Sequence, residues 1–348
     1  MTRPESNVTS AAAPSFSHLL ALSDEHGVFE HALLDAPRRE HGYCVDDVAR
    51  AIGVLLREPD PAPELVVLMR TCLRFVEQAV DPDGRAHNRM ADGGGWTDEP
   101  ALGDWWGRAV QALGLAAVRA PTEQLRYQAL AAFHRAALAR SPHGRAMAFA
   151  TLGAAEVLIN DPHDLAARAL VLDGMATIAT PHVDSWEWPE PRLRYANAVL
   201  PEALLAGGSA TDNPRIIARG LLMLRFLVHI ETARGHLSVA GVAGRGPAQR
   251  SAQFDQQPIE VAALADASAR AFEITQDSEW RDVVAIAWAW FTGDNDASTP
   301  MFDHVSGAGF DGLHEHGRNG NRGAESTLAA LSTYQHARRL EVLELVAS

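Results

Sequence analysis

Apolar residues recur with a period near 3.6 in about a dozen segments of the chain, and convincing alternating, period-two stretches are almost absent. Two kinds of segment alternate strictly. One kind is rich in small residues and opens on polar ones: CVDDVARAIGVLL, DWWGRAVQALGLAA, GRAMAFATLGAAEVL, YANAVLPEALLAG, QPIEVAALADASARAF and GAESTLAALSTYQHA. The other kind has the single apolar stripe of a surface helix: ELVVLMRTCLRFVEQAV, EQLRYQALAAFHRAALA, DLAARALVLDGMATIA, PRIIARGLLMLRFLVHIE and EWRDVVAIAWAWF, with SFSHLLALS as the first of the set.

Small-residue helices suit an inner ring, where every side meets a neighbour, and striped helices suit an outer ring facing water. The pattern therefore predicts an all-α protein, an (α/α)6 toroid of six inner and six outer helices. An open α-solenoid is the alternative, but the spacing between repeats is irregular, where solenoids tend to hold a period. Residues 1–15 read as a disordered tail and residues 16–345 as a single toroid domain.

Loop lengths predict where function sits. Links from inner to outer helix are short and turn-like, as in EPDPAP, RAPTE, NDPHD, SATDNP and TQDSE, whereas residues 81–103, 181–194, 233–256 and 293–322 form long returns to the inner helices. Those returns collect at the inner N-termini, where helix dipoles favour carboxylates. Asp46 and Asp47 stand there; Asp104 precedes Trp105 and Trp106; Glu187 lies between Trp186 and Trp188; Asp255 precedes Gln256 and Gln257; Glu325 follows HGRNGNRGA. One aspartate of the first pair is expected to cap its helix, and Asp255 has a cap as its alternative role. Carboxylates interleaved with aromatic rings and amides suit sugars: rings cover pyranose faces, amides and Arg bind hydroxyls, and paired acids cleave glycosidic bonds.

Composition removes other classes. The net charge is −14 with Arg scattered through the chain, so nucleic acid is not an expected partner. The opening MTRPESNVTSAAAPSF lacks an apolar signal core, and no run of about 18 apolar residues occurs, so the expectation is a cytoplasmic protein without membrane insertion. Cys44 and Cys72 read as reduced, buried thiols. No metal is expected: His314 and His316 flank Glu315, but no further ligand has metal-site spacing. No cofactor is expected either, because the glycines at 93–95 and 241–246 lack the Lys-Ser/Thr ending of a phosphate loop.

In combination, HGYCVDDVARAI, GRAVQALG, YANAVLPEALL, GHLS, FDQQPIE, ND, DGL and NGNRGAESTLA resemble the (α/α)6-toroid, glycoside-hydrolase-like domains of bacterial polysaccharide loci, which stand alone or are appended to retaining glycosyltransferases. The resemblance spans about residues 16–340 and implies a toroid that binds or acts on an oligosaccharide, with a glycosyltransferase as a possible partner. Its motif positions fall on Tyr43, Asp46, Asp47, Arg108, Asn197, Glu202, Asp255, Gln256, Gln257, Glu260, Asn321 and Glu325. Two departures stand out: Gly103-Asp104 replaces an expected acidic pair, and Arg322 replaces a more usual amide.

The leading expectation is an inverting glycoside hydrolase with Asp104 as acid, Asp255 or Glu325 as base and Asp47 holding a hydroxyl. Tyr43, Asp46, Trp105, Trp106, Arg108, Trp186, Glu187, Trp188, Asn197, His236, Gln256, Gln257, Glu260, Asn321 and Arg322 complete the expected substrate site. A non-catalytic glycan-binding module and a toroid-type sugar epimerase remain as alternatives; the epimerase would draw its proton-transfer groups from His41, His143 and His236. A lyase would want cationic neutralisation of a uronate, against the acidic balance, and the aspartate spacing of terpene cyclases is missing.

Overall fold

The computed structural model describes residues 13–180 and 186–343. The tail expected over residues 1–15 therefore lies mostly outside the described residues. Among the described residues, six helices form the inner ring: α2 (Val45–Arg57), α4 (Asp104–Arg119), α6 (Gly144–Asn160), α8 (Val199–Ala210), α10 (Pro258–Thr275) and α12 (Ala324–Arg339). Each packs on the next, and α12 packs back on α2, so the ring closes. The outer helices are α1 (Ser17–Ala21), α3 (Pro63–Ala79), α5 (Glu123–Ala136), α7 (Leu165–Thr177), α9 (Pro214–Glu231) and α11 (Ser278–Thr292). Each of α3, α5, α7, α9 and α11 packs on the inner helix before it, and α1 packs on α12. The protein is thus an (α/α)6 toroid, as the alternation of the two segment types predicts.

Closure depends on small residues. Between α4 and α6 the backbones touch: a Cβ on Gly107 would collide with the Ala146 carbonyl, one on Gly114 with the Gly153 carbonyl, and one on Gly153 with the Val110 carbonyl. Four of the outer helices, α5, α7, α9 and α11, begin on side-chain caps that their sequences advertise. Thr122, Asp164, Asn213 and Asp277 each accept from a backbone N–H of the following first turn, which satisfies a donor that the helix itself leaves orphaned. Among the described residues, the loops carry four two-residue antiparallel pairings that period-two reading does not detect: three are hairpins, and the fourth joins Tyr43–Cys44 to Arg89–Met90 across two helices. Both cysteines are free and buried, in line with the sequence.

Several carboxyls sit deep in this fold. Burial is the largest cause that pushes Glu231 up to about 8 and Glu260 up to about 7, and it also raises Asp47 and Glu202. Glu231 and Glu260 thus hold their protons in the folded state at a pH where the unfolded chain has lost them, while Asp47 and Glu202 are paired with Arg50 and Arg270. The stability that Glu231 and Glu260 contribute is present below the ordinary carboxyl range, about 4.5, and disappears as pH rises through 7–8. His336, lowered to about 4 mainly by burial, acts with the opposite sign but only below the ordinary histidine pKa of about 6.5. The unfolding temperature is therefore expected to fall between pH 6.5 and 8, where the carboxyls act alone, and Glu231→Gln is expected to flatten that slope; a calorimetric pH series reads both.

Candidate active site

At the N-terminal ends of the inner helices lies an open cavity of ≈ 480 Å³. Asp46 and Asp47 reach it from the first turn of α2, Asp104 and Trp105 from the start of α4, Gln257 from the N-cap of α10, and Glu325 and Ser326 from the first turn of α12. Loops add Glu30 and His31 from the link between α1 and α2, Asn88, Asp311, and Tyr195 just before α8. Six carboxylates thus face one chamber with Arg50 and His31.

Why both aspartates of α2 are free to face the cavity is a matter of capping. Cys44 is the N-cap residue and makes no side-chain cap bond. Instead Asn88 receives the Val45 N–H, at 2.9 Å on its carbonyl and 3.2 Å on Oδ1. This corrects the expectation that one aspartate caps the helix: a distant loop residue does so, and Asp46 and Asp47 occupy the first turn, where the dipole favours negative charge. Asp255 is not a cap either, since Gln257 is the N-cap of α10 and the Asp255 carboxylate accepts from His314 Nδ1 at 2.5 Å.

The charges are connected. Arg50 spans two carboxylates, reaching Asp47 Oδ1 at 2.5 Å and Glu325 Oε2 at 2.7 Å. Its Nη2 also donates to the Tyr195 hydroxyl at 2.7 Å, and Arg108 Nη2 donates to the same oxygen at 2.9 Å. A guanidinium only donates, so the phenol oxygen accepts twice and its own proton remains free to donate elsewhere. Arg108, stacked over Phe149, brings Nε to 3.3 Å from Asp46. Burial raises the pKa of Asp46, Arg50 and Arg108 lower it, and the Asp104 and Glu325 charges raise it again. Asp104 itself makes no hydrogen bond or ion pair with the described residues. The Asp47 carboxylate also accepts from Cys44 Sγ at 3.2 Å, and Glu30, Cys44 and Asp47 bring ligand atoms within 4.8 Å of one another, a grouping able to hold a cation that the sequence does not reveal. His314 and His316, by contrast, belong to no such group among the described residues.

The remaining expected site residues lie elsewhere. Tyr43 is buried beneath the chamber, stacked on Phe29 and donating to Asp24 at 2.7 Å. Trp106 is buried, its indole donating to the Gly84 carbonyl, and Trp188 is buried on Phe226. Trp186 packs edge-on against Phe226, and Glu187 is exposed outside the chamber. Asn197 and Glu260 bond each other at 2.9 Å. Gln256 and His236 both bind Asp296, at 2.6 and 2.9 Å. Asn321 accepts the Leu34 N–H, and Arg322 pairs with Asp303. Asp255 also stands outside the chamber lining, as do His41, His143 and His236. Glu30, His31, Arg50, Asn88, Tyr195 and Asp311 are cavity residues that sequence reading missed. Arg50 inside HGYCVDDVARAI, Tyr195 at the head of YANAVLPEALL and Asp311 at the head of DGL had a visible signal in those strings; Glu30, His31 and Asn88 had none.

No family model and no curated protein matches the sequence. Solved structures do. A cellobiose 2-epimerase of Spirochaeta thermophila superposes with a TM-score of 0.68 at 11% identity, covering 95% of this chain and 94% of that one. A D-mannose isomerase gives 0.66 at 11% identity over 94% and 95%. A GH76 α-mannanase of Bacteroides thetaiotaomicron gives 0.61 at 12% identity over 94% of both chains. The chain therefore has the (α/α)6-toroid fold of proteins named for epimerising, isomerising and hydrolysing sugars.

Proposed function

We propose that the protein hydrolyses a glycosidic bond in a short oligosaccharide, with Asp46 delivering the proton to the leaving oxygen and Asp104, which the sequence suggested as the acid, instead activating the attacking water. The observation that carries this reading is the meeting, in one cavity, of a carboxyl whose proton affinity burial raises and a carboxylate with no partner of its own. An acid must hold a proton near working pH, and a base must be unencumbered. Trp105 supplies a ring for a sugar face, and Glu325, anchored on Arg50, supplies acceptors for hydroxyls. Inversion is the expected outcome, which requires the two carboxyl groups to stand about 6.5–9.5 Å apart. Asp255, outside the chamber, has no role in the step. The names of the structural neighbours fit a carbohydrate substrate, and a cytoplasmic glycan precursor is the substrate we favour.

The test is release of reducing ends from manno-, gluco- and galacto-oligosaccharides, with the anomer of the first product followed by proton NMR. Appearance of the anomer opposite to the substrate's supports the reading. A second reading, sugar epimerisation, is favoured by the epimerases among the neighbours and by His31 and Tyr195 in the same cavity. It predicts solvent deuterium at C2 of a reducing sugar and no bond cleavage. Binding without either reaction would instead mark a glycan-binding module.

A further inference from the structure

Beside the acidic chamber lies a second cavity of ≈ 380 Å³, and Tyr195 and Gln257 line both. Its charge has the other sign. Arg192 and Arg194 face it, and its carboxyl, Glu260, is buried and already takes the Ala196 and Asn197 N–H groups and the Asn197 amide. The frame is fixed: Leu193 and Arg245 exchange backbone bonds at 2.8 and 3.0 Å, and Gly244, at φ +70°, lies where a Cβ would strike the Leu193 carbonyl. Arg192 is held on this frame by the Ala243 and Gly244 carbonyls and Gln249. Arg194 is exposed, and its guanidinium makes no hydrogen bond or ion pair with the described residues.

We propose that the substrate carries an anionic group, a phosphate or a carboxylate, next to the bond to be cleaved, that this arginine-lined alcove takes the anion, and that the acidic chamber takes the sugar. The proposal rests on the hydrolytic reading of the chamber. The charged carboxylates of the first cavity, Asp104 and Glu325 among them, repel an anion, while a guanidinium fork with unspent donors attracts it to the second. Opposite fields across a shared wall orient the substrate, so the bond at the junction passes Tyr195, whose proton is free to donate, and Gln257.

Calorimetric titration tests this with the 1- and 6-phosphates of glucose, mannose and galactose and with glucuronate and galacturonate, each against its free sugar. At least one anionic sugar is expected to bind about tenfold or more tightly than its neutral counterpart. Arg194→Gln is expected to erase that advantage, Arg194→Lys to keep part of it, and 0.5 M salt to weaken it. A preference for phosphates over uronates, or the reverse, identifies the group. Equal affinity for charged and neutral sugars, including none for either, overturns the proposal, as does an advantage that survives Arg194→Gln in a folded protein. Binding and turnover fail separately: alcove binding without hydrolysis sinks the catalytic reading alone, and hydrolysis indifferent to the anion sinks this one alone.

Discussion

Asp46→Asn is expected to slow hydrolysis of a natural oligosaccharide by about 10²–10⁴-fold, with KM little changed, because the amide keeps the shape but has no proton to give in the transition state. The loss should depend on the leaving group. A dinitrophenyl glycoside departs without protonation, so on that substrate the variant should recover most of the wild-type rate. Asp104→Asn should instead be slow on both substrates, since water still needs its proton removed, and added azide should restore turnover and give a glycosyl azide of inverted configuration if a small anion can enter in place of the activated water. The same loss on both substrates for Asp46→Asn, or full activity in Asp104→Asn, would reject the assignment of roles. The alkaline limb of the wild-type pH profile belongs to Asp46 on this reading. Arg108→Met removes a charge that lowers the pKa of that carboxyl, so it should move the limb upward.

Gly153→Ala should lower stability by about 3 kcal/mol, a large effect for one methyl group. Gly153 is buried where α6 meets α4, and a Cβ there runs into the Val110 carbonyl and the Gln111 backbone, neither of which can rotate aside. The helices must separate, and Asp104 and Arg108 ride on α4. Urea unfolding should show a lower midpoint at an unchanged slope, and activity per folded molecule should fall as well. Gly144→Ala is the control: its Cβ meets nothing within 4 Å, so the same change at the exposed start of the same helix should be neutral within about 0.5 kcal/mol. Equal effects at both positions would mean that the α4–α6 approach is not what those glycines secure.

The architecture was legible because it rests on burial, and burial leaves a periodic trace: the six Ala- and Gly-rich segments are the six inner helices. The end of the ring that bears the cavity was legible from loop length and the dipole argument, and Asp46, Asp47, Asp104, Trp105, Gln257 and Glu325 do line it. What failed was the step from end to side-chain direction. Trp106 follows Trp105 directly, yet a helix turns about 100° per residue, so one ring faces the chamber and the other the core. Asp255 and Gln257 are separated by a single residue and point to different places. Glu30, Asn88 and Asp311 lie in irregular loops, where no period announces which side chain turns inward. Asn88 shows the difficulty best, since it holds the α2 N–H across 43 positions of sequence, a pairing that only the folded chain reveals.

Arg50 holds Asp47 with one nitrogen and Glu325 with another, and this pair of contacts joins the first inner helix to the last. The chamber is therefore a seam as well as a site. During synthesis Asp46, Asp104 and Tyr195 emerge long before Glu325, and until α12 docks, Arg50 lacks its second counter-ion and the ring lacks a side. A nascent chain can assemble helix pairs as they appear, but it acquires this arrangement of charges only at the final closure, which makes the proposed activity a report on completion of the circle.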